Sequence, residues 1–227
     1  MTEMAPTSGG FSEMFTPDRR PPCQLYLISP PTIDARFPDR LKAALEAAHV
    51  AAFQLRLKGI DDHAIARAAE PLQRICADLD TSFIINDSIG LAKRLGADGV
   101  HLGQGDGDPR DARQILGKDA QIGVTCHNSR HLAMEAGEAG ADYVAFGAFY
   151  QTGTKSVETF ADTDILRWWN TLFPIPCVAI GGITPENAAP LVDAGADFLA
   201  VSGAVWQASV GEILAVQSFN RALAGTS

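Results

Sequence analysis

Short apolar runs alternate with segments of helical periodicity along almost the whole chain. Runs that are apolar at consecutive positions are typical of strands buried on both faces, as in a parallel sheet. The pattern predicts eight strands, at 24–29, 52–57, 82–86, 99–102, 121–125, 143–147, 178–180 and 198–201. The intervening helices are predicted at 40–49, 62–79 (capped by Asp61), 89–95, 112–116, 130–139, 162–172 and 185–194 (with Thr184 as N-cap and Pro185 at the first helical position), with a closing helix at 210–223.

The tripeptide Gly-Ala-Asp occurs three times, each time between a helical segment and an apolar run. The copies begin at Gly96, Gly140 and Gly195. Glycine after a helix adopts the left-handed backbone conformation at little cost, so each copy indicates a helix end that leads into a strand. A repeated helix–turn–strand unit is typical of a parallel sheet. Eight strands joined in this way predict a single (β/α)8 TIM barrel.

Size and composition favour one folded domain. The chain has 227 residues, of which 46% are hydrophobic, and this is enough for one large core of the size that α/β barrels have. Residues 1–22 are rich in Pro, Gly, Ser and Thr and show no apolar periodicity. We therefore predict a disordered N-terminal extension at 1–22 and a catalytic barrel domain at 23–227.

The net charge and the spacing of the cysteines limit the binding partners and the cellular compartment that the sequence favours. The net charge of −9 argues against binding to nucleic acid or to an anionic membrane surface. It still permits phosphorylated small molecules, because a few cations or a metal can reverse the field in one cleft. The sequence shows no apolar segment of membrane-spanning length and no signal-peptide pattern. Four widely spaced cysteines indicate reduced thiols, so a cytoplasmic location is expected, with homo-oligomer formation left open.

Barrels of this kind place their chemistry where the strands end, so the polar residues there form the candidate site. They are Gln54, Arg56, Lys58, Asn86, Asp87, His101, Gln104, Asp106, Thr125, His127, Thr152, Thr154, Lys155, Gly181, Gly182 and Ser202. The set contains no obvious Ser-His-Asp or Cys-His arrangement. It combines cations, acids and small hydroxyl groups, which suit the binding of charged substrates.

Gln54, Arg56 and Lys58 occupy alternate positions of one strand and therefore share one face. A column of this kind inside the barrel would be a binding site, because barrel interiors are normally filled by apolar side chains. On the outer face, burial of two unpaired cations would be costly. The alternative is that Arg56 and Lys58 extend along a strand edge into water.

Asp87 and Asp106 follow neighbouring strands and together suit a hard cation. Mg²⁺ takes one or two carboxylates plus phosphate oxygens. Each acid also has an ordinary structural interpretation: Asp87 or Ser88 can cap the next helix, and Asp106 can belong to a plain turn. Two other features suit phosphate: the Thr152-Gly-Thr-Lys155 segment as an oxyanion clamp, and the glycines at 181–182 with Ser202 at adjacent strand ends.

These motifs, taken in order from residue 24 to residue 205, resemble the thiamine-phosphate synthase family. The matching pieces are Gln54-Leu-Arg-Leu-Lys58, Ile85-Asn-Asp87, Gly99-Val-His-Leu-Gly-Gln104 with Asp106, Ile122-Gly-Val-Thr-Cys-His127, Gly147-Ala-Phe-Tyr-Gln-Thr-Gly-Thr-Lys155, Ala179-Ile-Gly-Gly-Ile183 and Val201-Ser202. The resemblance implies a Mg²⁺-dependent barrel transferase that joins a hydroxymethylpyrimidine diphosphate to a thiazole phosphate and releases pyrophosphate.

The resemblance also implies roles for individual residues. The diphosphate would be held by Arg56, Lys58, Asn86 and Lys155, of which the three cations are the catalytic candidates. Asp87 and Asp106 would ligate Mg²⁺, and Gln54 would contact the pyrimidine. The thiazole phosphate would be bound by Thr152, Thr154, Gly182 and Ser202, and Thr125 is a further substrate-binding candidate.

Three positions depart from the family pattern. Ser88 stands where the family has an arginine, Thr125-Cys-His127 replaces a usual Ser-Thr-His, and Gly107-Asp108 replaces a common hydrophobic-Pro pair. A sister group with the same fold is a thiazole tautomerase, which typically loses the diphosphate and metal residues. Because this chain keeps Arg56, Asp87, Asp106 and Lys155, the synthase is favoured. The tautomerase and a non-catalytic phosphate-binding barrel remain the alternatives.

Overall fold

Eight parallel strands close into a barrel in the computed structural model, which describes residues 20–152 and 160–225. Neighbours in the barrel are also neighbours along the chain, and the first strand pairs with the last. The strands are β1 (Gln24–Ile28), β2 (Ala52–Leu55), β3 (Ser82–Asn86), β4 (Gly99–Leu102), β5 (Gln121–His127), β6 (Tyr143–Gly147), β7 (Cys177–Ile180) and β8 (Phe198–Val201). The predicted (β/α)8 TIM barrel is confirmed.

Helices follow the strands and surround the barrel. They are α1 (Phe37–Ala47), α2 (Asp62–Asp78), α3 (Ile89–Leu95), α4 (Pro109–Leu116), α5 (Arg130–Glu138), α6 (Asp164–Leu172), α7 (Ala189–Asp193), α8 (Gly203–Trp206) and α9 (Glu212–Ala224). Asp61 caps α2 as predicted, because its side chain accepts a hydrogen bond from the Ala64 N–H. In the part of the chain that the structure describes, no helix combines the length and apolar character needed to cross a membrane.

The structure corrects the predicted start of the seventh helix. Thr184 does not cap it, because α7 begins at Ala189. The side chain of Asn187 instead accepts a hydrogen bond from the Thr184 N–H (2.8 Å) and donates one to the Gly182 carbonyl (3.0 Å). These two bonds satisfy backbone groups that a helix would otherwise use, so residues 182–187 form a turn. The short helix α8 was not predicted from the sequence.

Apolar side chains form two layers, one inside the barrel and one between the barrel and its helices. The interior layer consists of Tyr26, Ile28, Ala52, Ile84, Tyr143, Ala145, Val178, Phe198 and Ala200. On β2, Leu55 and the following Leu57 belong to the outer layer, whereas Gln54 is buried inside the barrel. The alternation therefore turns Gln54 and Arg56 inward, as the column interpretation requires. The strand itself ends at Leu55 rather than at residue 57.

The aspartate of each Gly-Ala-Asp copy immediately precedes one strand and forms hydrogen bonds with the start of the neighbouring strand. Its carboxylate accepts a backbone N–H at 2.7 Å in all three copies. The aspartate N–H in turn donates to the carbonyl of the residue whose N–H the carboxylate accepts. The pairs are Phe83–Asp98, Ile122–Asp142 and Cys177–Asp197. The repeat therefore stabilises the amino ends of the strands, at the opposite end of the barrel from the candidate site.

Arg20 corrects the boundary of the predicted extension. Its guanidinium forms two hydrogen bonds with the Asp197 carboxylate, at 2.6 and 2.8 Å, and a third with the Phe173 carbonyl at 2.6 Å. The side chains of both members of this ion pair are almost completely buried. The prediction that the whole of 1–22 contributes nothing to the barrel is therefore wrong for Arg20. Residues 1–19 lie outside the described residues.

Candidate active site

A hydrogen-bonded ion pair links the ends of β2 and β3. The Lys58 ammonium donates to Oδ2 of Asp87 at 2.7 Å, and both side chains are partly exposed at the mouth of the barrel. Asp87 has a left-handed backbone (φ 67°), and its N–H donates to the His101 carbonyl on the adjacent strand. The structure therefore brings the last cation of the column next to the first acid.

Asp106 lies beside this pair. Its carboxylate accepts a hydrogen bond from the Gly103 N–H at 2.9 Å, which closes the turn after β4. Burial raises the pKa of Asp106, and the neighbouring Asp87 carboxyl raises it further, against the opposing effects of the Gly103 N–H and the Lys58 charge. The two acids predicted as metal ligands therefore lie close together. Asp106 closes the turn that its structural interpretation requires. Its closeness to Asp87 fits the interpretation as a metal ligand as well.

Arg56 is half-buried and turned toward the barrel axis, while its backbone N–H donates to Oγ of Ser29 at 2.8 Å. Within residues 20–152 and 160–225 its guanidinium donates no hydrogen bond. Asn86 ends β3 and is also half-buried. Ser88, which replaces the family's arginine, is the N-cap of α3 and accepts the Leu91 N–H at 3.2 Å. The capping alternative considered for this segment is therefore correct for Ser88.

Below the mouth, five polar side chains are joined by successive hydrogen bonds across the barrel interior. The successive contacts are Gln54 Nε2 to the Tyr26 hydroxyl (2.9 Å), Tyr26 to the Tyr143 hydroxyl (3.0 Å), Tyr143 to His101 Nδ1 (3.1 Å) and His101 Nε2 to Thr125 Oγ1 (2.8 Å). We call this series the interior chain. Burial lowers the pKa of His101 to about 4, with the Arg56 charge also lowering it and Asp87 opposing, so the imidazole is neutral.

Sequence reasoning missed the two tyrosines of the interior chain. Each stands in an apolar strand, where an aromatic residue indicates core packing. The available signal was the period of two, since Tyr26 and Tyr143 share the inward face of their strands with other interior residues. Gln54 was predicted correctly as an inward polar residue, but its amide N–H₂ already donates to Tyr26.

The other side of the mouth is formed by the ends of β7 and β8. Gly182 has a left-handed backbone (φ 65°), and a Cβ there would collide with the Gln151 carbonyl oxygen. Only glycine therefore allows the segment before Thr152 to approach this strand end. The Ser202 hydroxyl donates to the Ser29 carbonyl at 3.2 Å. Thr154 and Lys155 lie outside the described residues, so the predicted clamp is represented here by Thr152 alone.

The carboxylate pair fits a magnesium ion in its donor type. Among the residues that the structure describes, no group of three or more His, Cys, Asp or Glu side chains could hold a metal. Two carboxylates are nevertheless what Mg²⁺ uses when substrate phosphates and water supply the remaining ligands. The effect of Asp87 on the pKa of Asp106 is that of two acids sharing one small region.

A closed (β/α)8 barrel whose polar side chains gather at the carboxyl ends of its strands defines a barrel enzyme. The family model described as thiamine monophosphate synthase matches residues 25–205. A thiamine-phosphate synthase of Erythrobacter litoralis is 63% identical over 207 residues, which cover 89% of this chain and 96% of the relative. One of Rhodospirillum centenum is 57% identical, with coverage of 89% and 99%.

Solved structures agree with the sequence comparison. Thiamine phosphate pyrophosphorylase from Pyrococcus furiosus superposes with a TM-score of 0.77 at 28% identity, and covers 89% of this chain and 96% of that one. (S)-3-O-geranylgeranylglyceryl phosphate synthase from Thermoplasma acidophilum (TM-score 0.69, 19% identity, coverage of 94% and 97%) shares the fold alone. This chain belongs to the thiamine monophosphate synthase family and is a transferase of thiamine biosynthesis. The relatives' names favour the synthase over the tautomerase alternative.

Proposed function

We propose that this chain joins 4-amino-2-methyl-5-hydroxymethylpyrimidine diphosphate to a thiazole phosphate and releases pyrophosphate. The observation that carries the proposal is the cluster of Lys58, Asp87 and Asp106 with Arg56 on the adjacent inward position. It supplies both cations for a departing diphosphate and acids for a metal. No protein nucleophile is needed, because the bond between the pyrimidine methylene carbon and the diphosphate oxygen breaks first.

The cations stabilise the leaving group. The electron pair of the breaking carbon–oxygen bond moves onto the diphosphate, and Arg56, Lys58 and Lys155 neutralise the developing charge. Asn86 donates its amide hydrogens to the same group. The half-buried Arg56 guanidinium is suited to this role because it has no hydrogen-bond partner within the described residues. The nitrogen of the thiazole then captures the pyrimidine-methyl cation, and orientation of the two substrates supplies the rest of the rate.

Asp87 and Asp106 would hold Mg²⁺. When bound, the ion would supply Lewis-acid stabilisation of the diphosphate oxygens. In the substrate-free protein Lys58 is paired with Asp87. Binding of the diphosphate would draw the Lys58 ammonium toward phosphate oxygens, and the Asp87 carboxylate would then be available to hold Mg²⁺.

The thiazole phosphate would bind on the opposite side of the mouth, between Gly182, Ser202 and the segment with Thr152 and Thr154. Strand ends seven and eight are where such barrels commonly hold phosphate. The support here is the glycine at 182, where the backbone N–H donates no hydrogen bond within residues 20–152 and 160–225. Gln54 would line the pyrimidine side, and Thr125 would face the diphosphate. We further propose that the protein works in the cytoplasm.

The test is the release of pyrophosphate by the purified protein with both substrates and Mg²⁺. Wild-type protein is expected to release it in step with thiamine phosphate formation, and Lys155→Ala is expected to abolish release. Lys118→Ala is the matched control, because Lys118 is highly exposed and pairs with Asp119 near the amino ends of the strands. Absence of pyrophosphate, combined with isomerisation of a carboxylated thiazole phosphate, would show that the synthase proposal is wrong.

A further inference from the structure

The interior chain defined above has a fixed direction, which follows from counting its hydrogens. Burial raises the pKa of Tyr26 to about 12 and raises that of Tyr143 well above its usual value, so each phenol keeps its hydrogen. The Tyr26 oxygen accepts from Gln54. Its own hydrogen then has one remaining partner, the Tyr143 oxygen. Since Tyr26 is buried, a hydrogen without an acceptor would be costly there, and Tyr26 therefore donates to Tyr143.

The same count of hydrogens determines the tautomer of His101. Tyr143 accepts from Tyr26, so its hydrogen goes to its other partner, His101 Nδ1. Nδ1 must then be unprotonated, and the hydrogen of the neutral imidazole lies on Nε2. From there it is donated to Thr125 Oγ1. A hydrogen on Nδ1 would instead be donated to Tyr143 and would leave one tyrosine hydrogen without an acceptor.

The interior chain ends at the Thr125 hydroxyl, and the direction of the hydrogen bonds determines the role of this group. Thr125 accepts from His101 and must donate its own hydrogen elsewhere. Its side chain lies on the inward face of β5, at the carboxyl end of the barrel, and is partly exposed to the mouth. The substrate atoms expected near this end are the oxygens of a diphosphate, which only accept hydrogen bonds.

We propose that His101 is a positioning residue: held in its Nε2–H form by Tyr143, it makes the Thr125 hydroxyl a dedicated donor to a phosphate oxygen of the diphosphate substrate. This inference rests on the proposed function for the identity of the acceptor, but the direction of the chain is a property of the free protein. The proposed role also explains why hydrogen-bonded polar side chains lie inside a barrel that apolar side chains could have filled. A site that always donates at this position discriminates against ligands that present a donor there.

The direction is tested without substrate. Nitrogen-15 NMR of protein labelled in its histidine imidazoles distinguishes the two neutral tautomers. The chain has five histidines, and the signal that disappears in His101→Gln identifies the relevant one. We expect His101 to show an unprotonated Nδ1 and a protonated Nε2, and Tyr143→Phe to produce a mixture of forms. A principal Nδ1–H form in the wild-type protein would overturn the proposal.

The role in the reaction is tested by a double-mutant cycle between Tyr143→Phe and Thr125→Val. Tyr143→Phe is expected to lower kcat/KM for the diphosphate substrate by about tenfold in the wild-type background, the size of one lost hydrogen bond. In the Thr125→Val background it should cause no further loss. The KM for the thiazole phosphate should not change in either case. Equal losses in both backgrounds would show that Tyr143 acts only on packing and would overturn the proposal.

Two variants of His101 cover a failure of Tyr143→Phe to fold. His101→Gln keeps an amide near Nε2 and is expected to retain more activity than His101→Leu; equal activities would contradict the proposal. Thr81→Val is the matched control for Thr125→Val, because it removes a buried threonine hydroxyl that donates to the Val50 carbonyl far from the mouth. It should lower stability but not kcat/KM. If the wild-type protein releases no pyrophosphate, the proposed function fails, while the NMR result still decides the direction of the chain.

Discussion

The Lys58 ammonium lies 2.7 Å from Oδ2 of Asp87, so a cation proposed for the diphosphate and an acid proposed for the metal neutralise each other before substrate binds. Asp106 is close enough to Asp87 for the Asp87 carboxyl to raise the pKa of Asp106. The three side chains therefore form one electrostatic unit. The charge of Lys58 offsets part of the repulsion between the two carboxylates.

Replacing Lys58 by methionine should have opposite effects on metal binding and on turnover. Without the ammonium, the free protein should bind Mg²⁺ more tightly, by no more than roughly fivefold because a partly exposed ion pair contributes little. The loss of a leaving-group cation should at the same time lower kcat. Titration calorimetry with Mg²⁺ and the pyrophosphate assay measure the two quantities. Weaker Mg²⁺ binding in Lys58→Met would contradict the arrangement.

Asp87→Asn and Asp106→Asn should raise the Mg²⁺ concentration needed for half-maximal turnover at least tenfold each, because each removes one proposed ligand. The fold should be kept, as shown by an unchanged circular dichroism spectrum. Asp119→Asn removes the same charge from an exposed residue and serves as the control. Identical Mg²⁺ titrations in the wild-type protein and both variants would limit these acids to the ion pair and the turn.

Ser88→Arg restores the cation that the family usually has next to the diphosphate, and it should raise the rate of pyrophosphate release or leave it level. It also removes the N-cap of α3, which should lower the free energy of unfolding by about 1 kcal/mol. Ser88→Ala loses the same cap without adding charge, so comparison of the two variants separates the effects. A lower rate in Ser88→Arg than in Ser88→Ala would mean that an arginine at 88 does not help the diphosphate depart.

The sequence predicts most of the barrel because its signals are local. The left-handed Gly96 and its two counterparts are determined by neighbouring residues, and Ile89–Leu95 is helical as predicted. Contacts between distant residues carry no such signal. Arg20 and Asp197 are 177 positions apart, and nothing in a proline-rich segment marks an arginine as buried.

The candidate site divides along the same line. Side chains at the ends of strands can be listed from the pattern alone, as Gln54, Asp87 and Asp106 were. Hydrogen-bond partners inside the barrel depend on the register between strands, which a single sequence does not give. A single sequence therefore carries no sign that the Tyr26 and Tyr143 hydroxyl groups lie 3.0 Å apart inside the closed barrel.

His101 should make the folded protein sensitive to acid. Burial lowers its pKa from 6.5 to about 4, so the unfolded chain binds a proton between these values while the folded protein does not. Stability from this group is therefore complete above pH 6.5 and is lost as the pH falls toward 4. His101→Gln should show a flatter decline in urea-unfolding free energy over this range, relative to its own value at pH 8. His49→Gln, which changes a histidine near the amino ends of the strands, should follow the wild-type curve.

Removal of Arg20 should destabilise the barrel strongly at neutral pH. Deletion of residues 1–19 is expected to leave the melting temperature unchanged, because that stretch has no apolar periodicity. Arg20→Met should instead lower the free energy of unfolding by about 3 kcal/mol, since it leaves the Asp197 carboxylate buried without its counter-charge. Arg167→Met is the control, because Arg167 pairs with Asp164 on an exposed helix surface.

The pH dependence of this loss distinguishes a charge effect from lost packing. Burial raises the pKa of Asp197 even while the Cys177 N–H and Arg20 oppose the rise. Without Arg20 the pKa should rise further, so the folded variant holds a proton that the unfolded chain has already released. The stability of the Arg20→Met protein then falls as the pH rises from the pKa of Asp197 in the unfolded chain to its pKa in the folded variant. Urea unfolding at several pH values should show a gap between wild-type and Arg20→Met protein that is small in acid and wide at pH 7. A gap of constant size would mean that Arg20 stabilises the barrel through packing and its bond to the Phe173 carbonyl.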